Sequence, residues 1–228
     1  MKVERVIEET LETKSFSLDF EGDTIPFLPG QFVNVTAQLS GGQRVRRAYS
    51  VASSPRDPEL LLTVKRMQGG LLSNFLCDHI NAGDVLNIRG PYGRFILEDD
   101  GRPLVFIAAG SGIVPFRSMW RYIRQTGSTA VFSLLYSSKS LRHVIYHDEL
   151  SDLSQAGYRI VHTITRSDDP SWTGCSRRLD SEMLANFVQD FARSLFYMCG
   201  PPDFCDCASQ YLLEFGVGRD RMRTEKYD

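Results

Sequence analysis

The chain has 228 residues, 42% of them hydrophobic and 24% charged, with a formal net charge of −2. That length holds one large domain or two small ones, and the composition is that of an ordinary water-soluble globular protein. The charge balance argues against a dedicated nucleic-acid binder.

The N-terminus, Met1-Lys2-Val3-Glu4-Arg5, is charged at once and lacks the apolar core of a signal peptide. The longest mostly apolar run, Leu104 to Phe116, is interrupted by Gly and Pro and is too short to span a bilayer. A cytoplasmic protein without membrane insertion is expected, or an organellar one if a transit peptide has been removed. The five cysteines, Cys77, Cys175, Cys199, Cys205 and Cys207, are odd in number, which suits reduced thiols better than a disulfide framework. Their spacing matches neither a zinc site nor a plant-type iron–sulfur site, so no metal is expected.

In chain order, Val3–Ile7, Ser15–Phe20, Gln31–Val35, Arg44–Val51, Glu59–Lys65 and Val85–Arg89 show strand-like alternation, punctuated by Gly, Pro and Asp. Among them only Leu71–Ile80 reads as helical. Many short strands with one helix predict an antiparallel β-barrel. After the polar turn Glu98-Asp99-Asp100-Gly101 the rhythm changes. Strands at Leu104–Ala108, Val131–Tyr136, Arg159–Ile164 and Leu195–Met198 alternate with helices at Pro115–Arg124, Tyr146–Leu153, Ser181–Asp190 and Phe204–Phe215. That alternation predicts a Rossmann-like parallel α/β domain with helices on both faces. The expected domains are residues 1–99 and 100–228.

Three segments carry chemistry. Arg47-Ala48-Tyr49-Ser50 puts a cation, an aromatic ring and a hydroxyl within four residues. On a strand Arg47 and Tyr49 share one face and Ala48 and Ser50 the other, so Ser50 joins them only through a twist or a strand end. Read alone, Arg47 and Tyr49 are equally a cross-strand surface pair. Gly69-Gly70-Leu71-Leu72-Ser73 opens the predicted helix, where backbone amides and the Ser73 hydroxyl can hold a phosphate. Gly110-Ser111-Gly112-Ile113-Val114-Pro115 lies at a strand-to-helix junction. Its glycines admit a close pyrophosphate, and Pro115 suits a first helical turn. It is not the G-x-G-x-x-G of ordinary dinucleotide-binding domains. The predicted second strand ends at Ser137-Ser138-Lys139 without a carboxylate for a ribose 2′-OH. Arg166, Arg177 and Arg178 follow in adjoining loops, as bidentate donors to a 2′-phosphate would. Cys199-Gly200-Pro201-Pro202 closes a buried strand, at the end where ligands of open α/β sheets bind.

In this order the segments resemble the ferredoxin–NADP reductase family of flavin/NAD(P) oxidoreductases, over nearly the whole chain. The resemblance implies FAD in the first domain, with FMN as the lesser alternative, and NADPH, with NADH open, in the second. It places Arg47 on a phosphate, Tyr49 against the isoalloxazine ring and Ala48 and Ser50 beside it, Ser50 near N5. It assigns Gly69, Gly70, Leu71 and Ser73 to the flavin phosphates. It assigns Gly110, Ser111, Gly112, Pro115, Ser138, Arg166, Arg177, Arg178, Gly200 and Pro201 to the nicotinamide nucleotide. Cys199 then lies against the nicotinamide, and Glu225 and Tyr227 near the flavin's exposed edge. Arg177 stands where relatives carry Gly, so that loop departs from the family pattern. The implied activity is hydride transfer from NAD(P)H to FAD, then electron delivery to a separate acceptor such as a ferredoxin or an oxygenase component. The core is expected to carry no fused iron–sulfur domain. The alternatives are a free-flavin reductase, or a flavin-binding electron-transfer subunit that NAD(P)H does not reduce. An acidic carrier would dock on Arg44, Arg46 and nearby cations.

Overall fold

A computed structural model describes residues 1–20, 25–166, 169–170 and 172–227, without the side chain of residue 40. The chain divides into two compact units, Met1–Leu97 with Val114–Gly127, and Glu98–Ile113 with Ser128–Asp228.

The first unit contains two three-stranded antiparallel sheets. Strands β1 (Val3–Thr10), β2 (Thr13–Leu18) and β5 (Leu60–Lys65) form one, in the order β1-β2-β5. Strands β4 (Arg44–Ser50), β3 (Phe32–Gln38) and β6 (Asn87–Tyr92) form the other, in the order β4-β3-β6. Bridges from Val51 to Leu62 and from Lys2 to Val85 link the two sheets into a barrel-like closure. Alternation drives this arrangement. Val33 and Val35 of β3 face inward onto Phe16, Leu18, Leu60 and Leu62, while Asn34 and Thr36 between them face out. Helix α1 (Leu71–His79) adds Leu72 and Leu76 to the same core.

Helix α2 (Val114–Thr126), which the sequence division places after residue 99, belongs to this unit by its contacts. Ser118 Oγ donates to the Ser53 carbonyl at 2.6 Å, and Arg117 to the Ala52 carbonyl at 3.1 Å. Arg121 clamps Asp57 with bonds of 2.6 and 2.8 Å, and Gln125 adds another at 2.6 Å. Burial would push the Asp57 carboxyl up, but the hydrogen bonds from Arg121, Gln125 and the Ser54 amide hold it below its usual range. Asp57→Ala is expected to cost about 2 kcal/mol, because it strands a half-buried guanidinium. The sign of the pH dependence follows. The clamp contributes fully above the unfolded carboxyl pKa and is lost as pH falls through the lower folded value. Acid-unfolding curves of wild type and variant therefore converge at low pH, which chemical denaturation across pH checks.

The second unit is one parallel sheet in the order β11-β10-β7-β8-β9. Its strands are β7 (Leu104–Ala109), β8 (Phe132–Ser138), β9 (Arg159–Ile164), β10 (Leu195–Gly200) and β11 (Met222–Lys226). Helices α3 (His147–Gln155), α4 (Ser181–Phe187) and α5 (Pro202–Glu214) belong to it. β10 is buried at every residue, as a central strand must be. The sheet grows outward from β7 through β8 to β9, then returns to the other side of β7 with β10. The direction reverses between β7 and β10, the position where open α/β sheets bind ligands beyond their carboxyl ends. Among the described residues no helix is long and apolar enough to cross a membrane.

Candidate cofactor sites

In the first unit the Arg47-to-Ser50 segment is the last part of β4, and α1 packs against this strand. Tyr49 opposes Val33 and is half-buried against the barrel core. Burial pushes its phenol well above the usual range, so the ring stays neutral. Arg47, two residues back on the same face, is exposed and donates to the Arg46 carbonyl at 2.8 Å. Ala48 is exposed on the opposite face. Ser50 is buried at the strand's last residue, opposite Phe32. The strand end that Ser50 requires is therefore present.

The glycine pair prepares the start of α1. Gly69 has φ +72°, open to glycine and strained for other residues. A Cβ on Gly70 would stand 2.5 Å from Ser73 Oγ. Without it, the Ser73 oxygen accepts from the Met67 amide at 3.2 Å and its own proton remains available. No side chain caps this helix, so its first-turn amides are available to an anion. Beside them lies a cavity of about 550 Å³, lined by Gly69, Gly70, Leu71, Asn74, Phe75 and Leu39 among others. Among the described residues Asn74 Oδ1 is buried without a hydrogen-bond partner, a polar atom that sequence reasoning missed. The helix start suits a phosphate.

In the second unit the loop after β7 forms a 3-10 turn at Gly110–Ile113. Gly110 has φ +55°. A Cβ on Gly112 would lie 2.0 Å from the Cys199 carbonyl oxygen and 2.8 Å from the Gly200 amide nitrogen. The second glycine is thus needed to seat the loop directly on the end of β10, at the switch point. Ser111 is half-buried in the same turn, and Pro115 stands in the first turn of the helix that follows. A fully buried residue absent from the sequence reading, Tyr136 of β8, donates its hydroxyl to the Gly110 carbonyl at 3.0 Å. Nothing in its local sequence marks it; the pairing of β8 with β7 brings it there.

Cys199 is fully buried, and burial first, then the neighbouring Glu225, pushes its thiol well above the usual range. It is a neutral thiol, not a thiolate. Residues 222–226, among which the sequence analysis predicts no strand, form the edge strand β11, with Glu225 in register with Cys199. The Tyr227 amide donates to the Gly200 carbonyl at 3.0 Å, and its hydroxyl lies 3.5 Å from Glu225 Oε2. Cys199, Gly200, Glu225 and Tyr227 therefore come together, with Pro201 capping α5. Arg223 anchors the strand through a bidentate pair with Glu98, at 2.5 and 2.9 Å.

The three loop arginines do not behave alike. The Thr165 and Arg166 amides bond the carbonyls of Ser138 and Lys139, which brings Arg166 to the carboxyl end of β8. The Ser138 hydroxyl is buried there. Thr163 Oγ1 donates to the Arg177 carbonyl and holds the second loop beside β9. Arg177 itself is engaged, with Asp180 at 2.7 Å and Glu182 at 2.9 Å. Among the described residues Arg166 and Arg178 have no ion-pair partner, and both are exposed.

Residues 1–96 match the oxidoreductase FAD-binding domain model, and residues 106–210 the oxidoreductase NAD-binding domain model. The ferredoxin–NADP reductase B of Sorangium cellulosum is 34% identical over 91% of this chain and 88% of that protein. The chain belongs to the ferredoxin–NADP reductase family. A solved ferredoxin–NADP reductase from Neisseria gonorrhoeae, with bound FAD and NADP, matches at a TM-score of 0.84 and 26% identity, covering 99% of this chain and 96% of that one. The glycine betaine monooxygenase reductase subunit of Pseudomonas aeruginosa is 29% identical over 98% of this chain. The chain spans 62% of that relative's length. Within this family, residues 1–96 correspond to the FAD-binding part and residues 106–210 to the NAD-binding part.

Proposed function

We propose that the chain is an FAD-dependent NAD(P)H oxidoreductase that delivers electrons to a separate acceptor, a ferredoxin or an oxygenase component. The observation that carries this reading is the fit of the Gly110–Ile113 turn onto the Cys199 end of β10 at the sheet's switch point. Functionally, residues 1–99 would serve FAD and residues 100–228 the nicotinamide nucleotide, with cytoplasmic placement suited to five free thiols.

Arg47, the α1 amides and Ser73 would hold the flavin phosphates, and Tyr49 would present a neutral ring to the isoalloxazine. The match of residues 1–96 to an FAD-binding domain model favours FAD over FMN. Bound FAD supplies what no side chain here can, acceptance of two electrons as hydride and their release singly or together. The protein's part is to bind, orient and exclude water. Ser50 would offer a hydroxyl donor at the strand end. Cys199, held neutral, would give the nicotinamide a polarisable surface without attacking it. Glu225 and Tyr227 would stay beside Cys199 through the pairing of β11.

Of the two nicotinamide nucleotides we propose NADPH, with Arg166 and Arg178 as donors to its 2′-phosphate. Arg177, neutralised by Asp180 and Glu182, contributes less than its sequence position suggests. The test is an anaerobic visible spectrum of purified protein before and after stoichiometric NADPH or NADH. Bleaching of a bound-flavin band, faster with NADPH, is expected. A flavin band that neither nucleotide changes would leave a flavin-binding subunit and exclude the reductase. In an Arg166→Ala, Arg178→Ala double variant the NADPH advantage should fall by about tenfold to a hundredfold, two charge-assisted contacts being lost.

A further inference from the structure

Strand β11 owes its place to its neighbours rather than to its composition. Three of its five residues, Arg223, Glu225 and Lys226, are charged, and it pairs with β10 alone at the edge of the sheet. Without apolar alternation the register of such a strand is weakly specified, and a slip of one residue turns every side chain to the other face. Contacts beyond the ladder therefore have to fix it. Arg223 grips both oxygens of Glu98, at 2.5 and 2.9 Å. The Glu98 amide in turn donates to the Tyr197 hydroxyl at 2.9 Å, and Tyr197 is the residue of β10 in register with Arg223. Glu98, Tyr197 and Arg223 thus close a triangle on one rung of the sheet. Burial pushes the Tyr197 phenol up to about 12, so it remains a hydroxyl.

Helix α5 also reaches β11, through weaker contacts. Cys205 Sγ lies 3.6 Å from the carbonyl oxygens of Gly200 and of Glu225, and a thiol is a weak donor. Lys226 pairs with Asp206 at 2.6 Å, with side chains 42% and 64% exposed, where a salt bridge contributes little. The Arg223–Glu98 pair is bidentate, and its side chains are only 27% and 34% exposed. That is the geometry in which guanidinium–carboxylate pairs are strong and directional. It is the strongest of these contacts. Arg223 and Glu225 are two residues apart and share a face of the strand. The register that seats Arg223 beside Tyr197 is therefore the one that seats Glu225 beside Cys199.

We propose that Arg223 and Glu98 are positioning residues of the reductase: they set the register of β11, and with it the placement of Glu225 and Tyr227 beside Cys199. The inference rests on the reductase reading above and adds to it two residues outside its cofactor assignments. Glu98 is the first residue of the second unit, 125 positions before Arg223, so the strand that completes the Cys199 corner is fixed by the start of the same unit. Loss of the pair acts on the rate of hydride transfer, through Glu225 and Tyr227. Capture of the nucleotide stays with the Gly110–Ile113 turn and the loop arginines.

The experiment compares wild type with Arg223→Gln, Glu98→Gln, the double variant, Arg223→Lys and Lys226→Gln. Hydrogen exchange read by mass spectrometry over residues 222–227 reports on the strand without any turnover. Stopped-flow flavin reduction over a range of NADPH concentrations separates the limiting rate from half-saturation. Each single Gln variant of the pair should exchange about tenfold faster over this segment. It should reduce its flavin about tenfold more slowly at saturation, with half-saturation within about twofold of wild type. The double variant should be no worse than either single one, as expected of two groups that act as a pair. Arg223→Lys keeps the charge but not the fork and should recover part of the rate, while Lys226→Gln should match wild type in both readouts. Should one Gln variant fold poorly, the other and Arg223→Lys carry the comparison. Unchanged exchange overturns the proposal, and so does faster exchange with an unchanged limiting rate, which would leave the pair a structural role alone. A Lys226→Gln protein as slow as Arg223→Gln overturns it too. Wild-type flavin that neither NADPH nor NADH reduces would instead refute the reductase reading, while the exchange rates still decide whether the pair sets the strand.

Discussion

Gly112→Ala is expected to destroy nicotinamide reactivity while leaving bound flavin in place. The added methyl carbon would sit 2.0 Å from the Cys199 carbonyl oxygen and 2.4 Å from its carbonyl carbon. Both are main-chain atoms of a fully buried central strand, so no rotamer change can relieve the clash. Either the Gly110–Ile113 turn lifts or the end of β10 moves. Overpacking of this kind costs about 3 kcal/mol. A displacement of about 1 Å at a site that works by positioning costs on the order of a hundredfold in rate. The Tyr136 hydroxyl, which holds the Gly110 carbonyl, would resist the lift and concentrate the strain at Cys199. Stopped-flow reduction by NADPH, with the flavin absorbance recorded beforehand, checks this. The expected outcome is a normal flavin band and a rate constant lower by about two orders of magnitude. A variant that reduces at the wild-type rate would mean the turn does not carry the nucleotide.

The second large effect is on stability. His162 of β9 has a buried Nδ1 with no hydrogen-bond partner among the described residues and a ring 5.9 Å from that of Tyr136. Burial first, and the charge of His147 second, lower its pKa to about 4. In the unfolded chain it titrates near 6.5. Between those values the unfolded state binds a proton that the folded state refuses, so stability rises with pH through this window. The contribution is complete above the unfolded pKa and is lost progressively as pH falls toward the folded one. From neutral pH to pH 5 the loss is about 2 kcal/mol. His162→Phe removes both the proton site and the orphaned nitrogen, at similar shape. It should be at least as stable as wild type at neutral pH and show no such loss on acidification. Denaturant titrations of both proteins at neutral pH and pH 5 decide it, and parallel losses in both would assign the effect to other groups.

Much of the fold is local and was legible. Val33 and Val35 alternating with Asn34 and Thr36 announce a half-buried strand to any reader of periodicity. The buried runs Leu104–Ala109 and Leu195–Gly200 announce a parallel sheet. Gly112 signals its turn because only glycine tolerates the main-chain contacts found there. Three things were not legible, each for want of a partner distant in sequence. Met222–Lys226 carries Arg223, Glu225 and Lys226 and has no apolar alternation. It is a strand only because β10 offers an open edge and Glu98 holds Arg223. Arg177 looked like a phosphate donor until Asp180 and Glu182 were seen to occupy it. Helix α2 reads as the next step of an α/β alternation, and nothing local shows that it bonds Ser53 and Asp57.

The sequence by itself determined the order of strands, helices and cofactor-binding turns, because backbone freedom and hydrophobic period are written in neighbouring residues. Only the tertiary structure decided which cations are paired, which carbonyl Tyr136 holds and what lies beside Cys199. Charge pairing and close packing depend on residues the chain brings together from tens of positions apart.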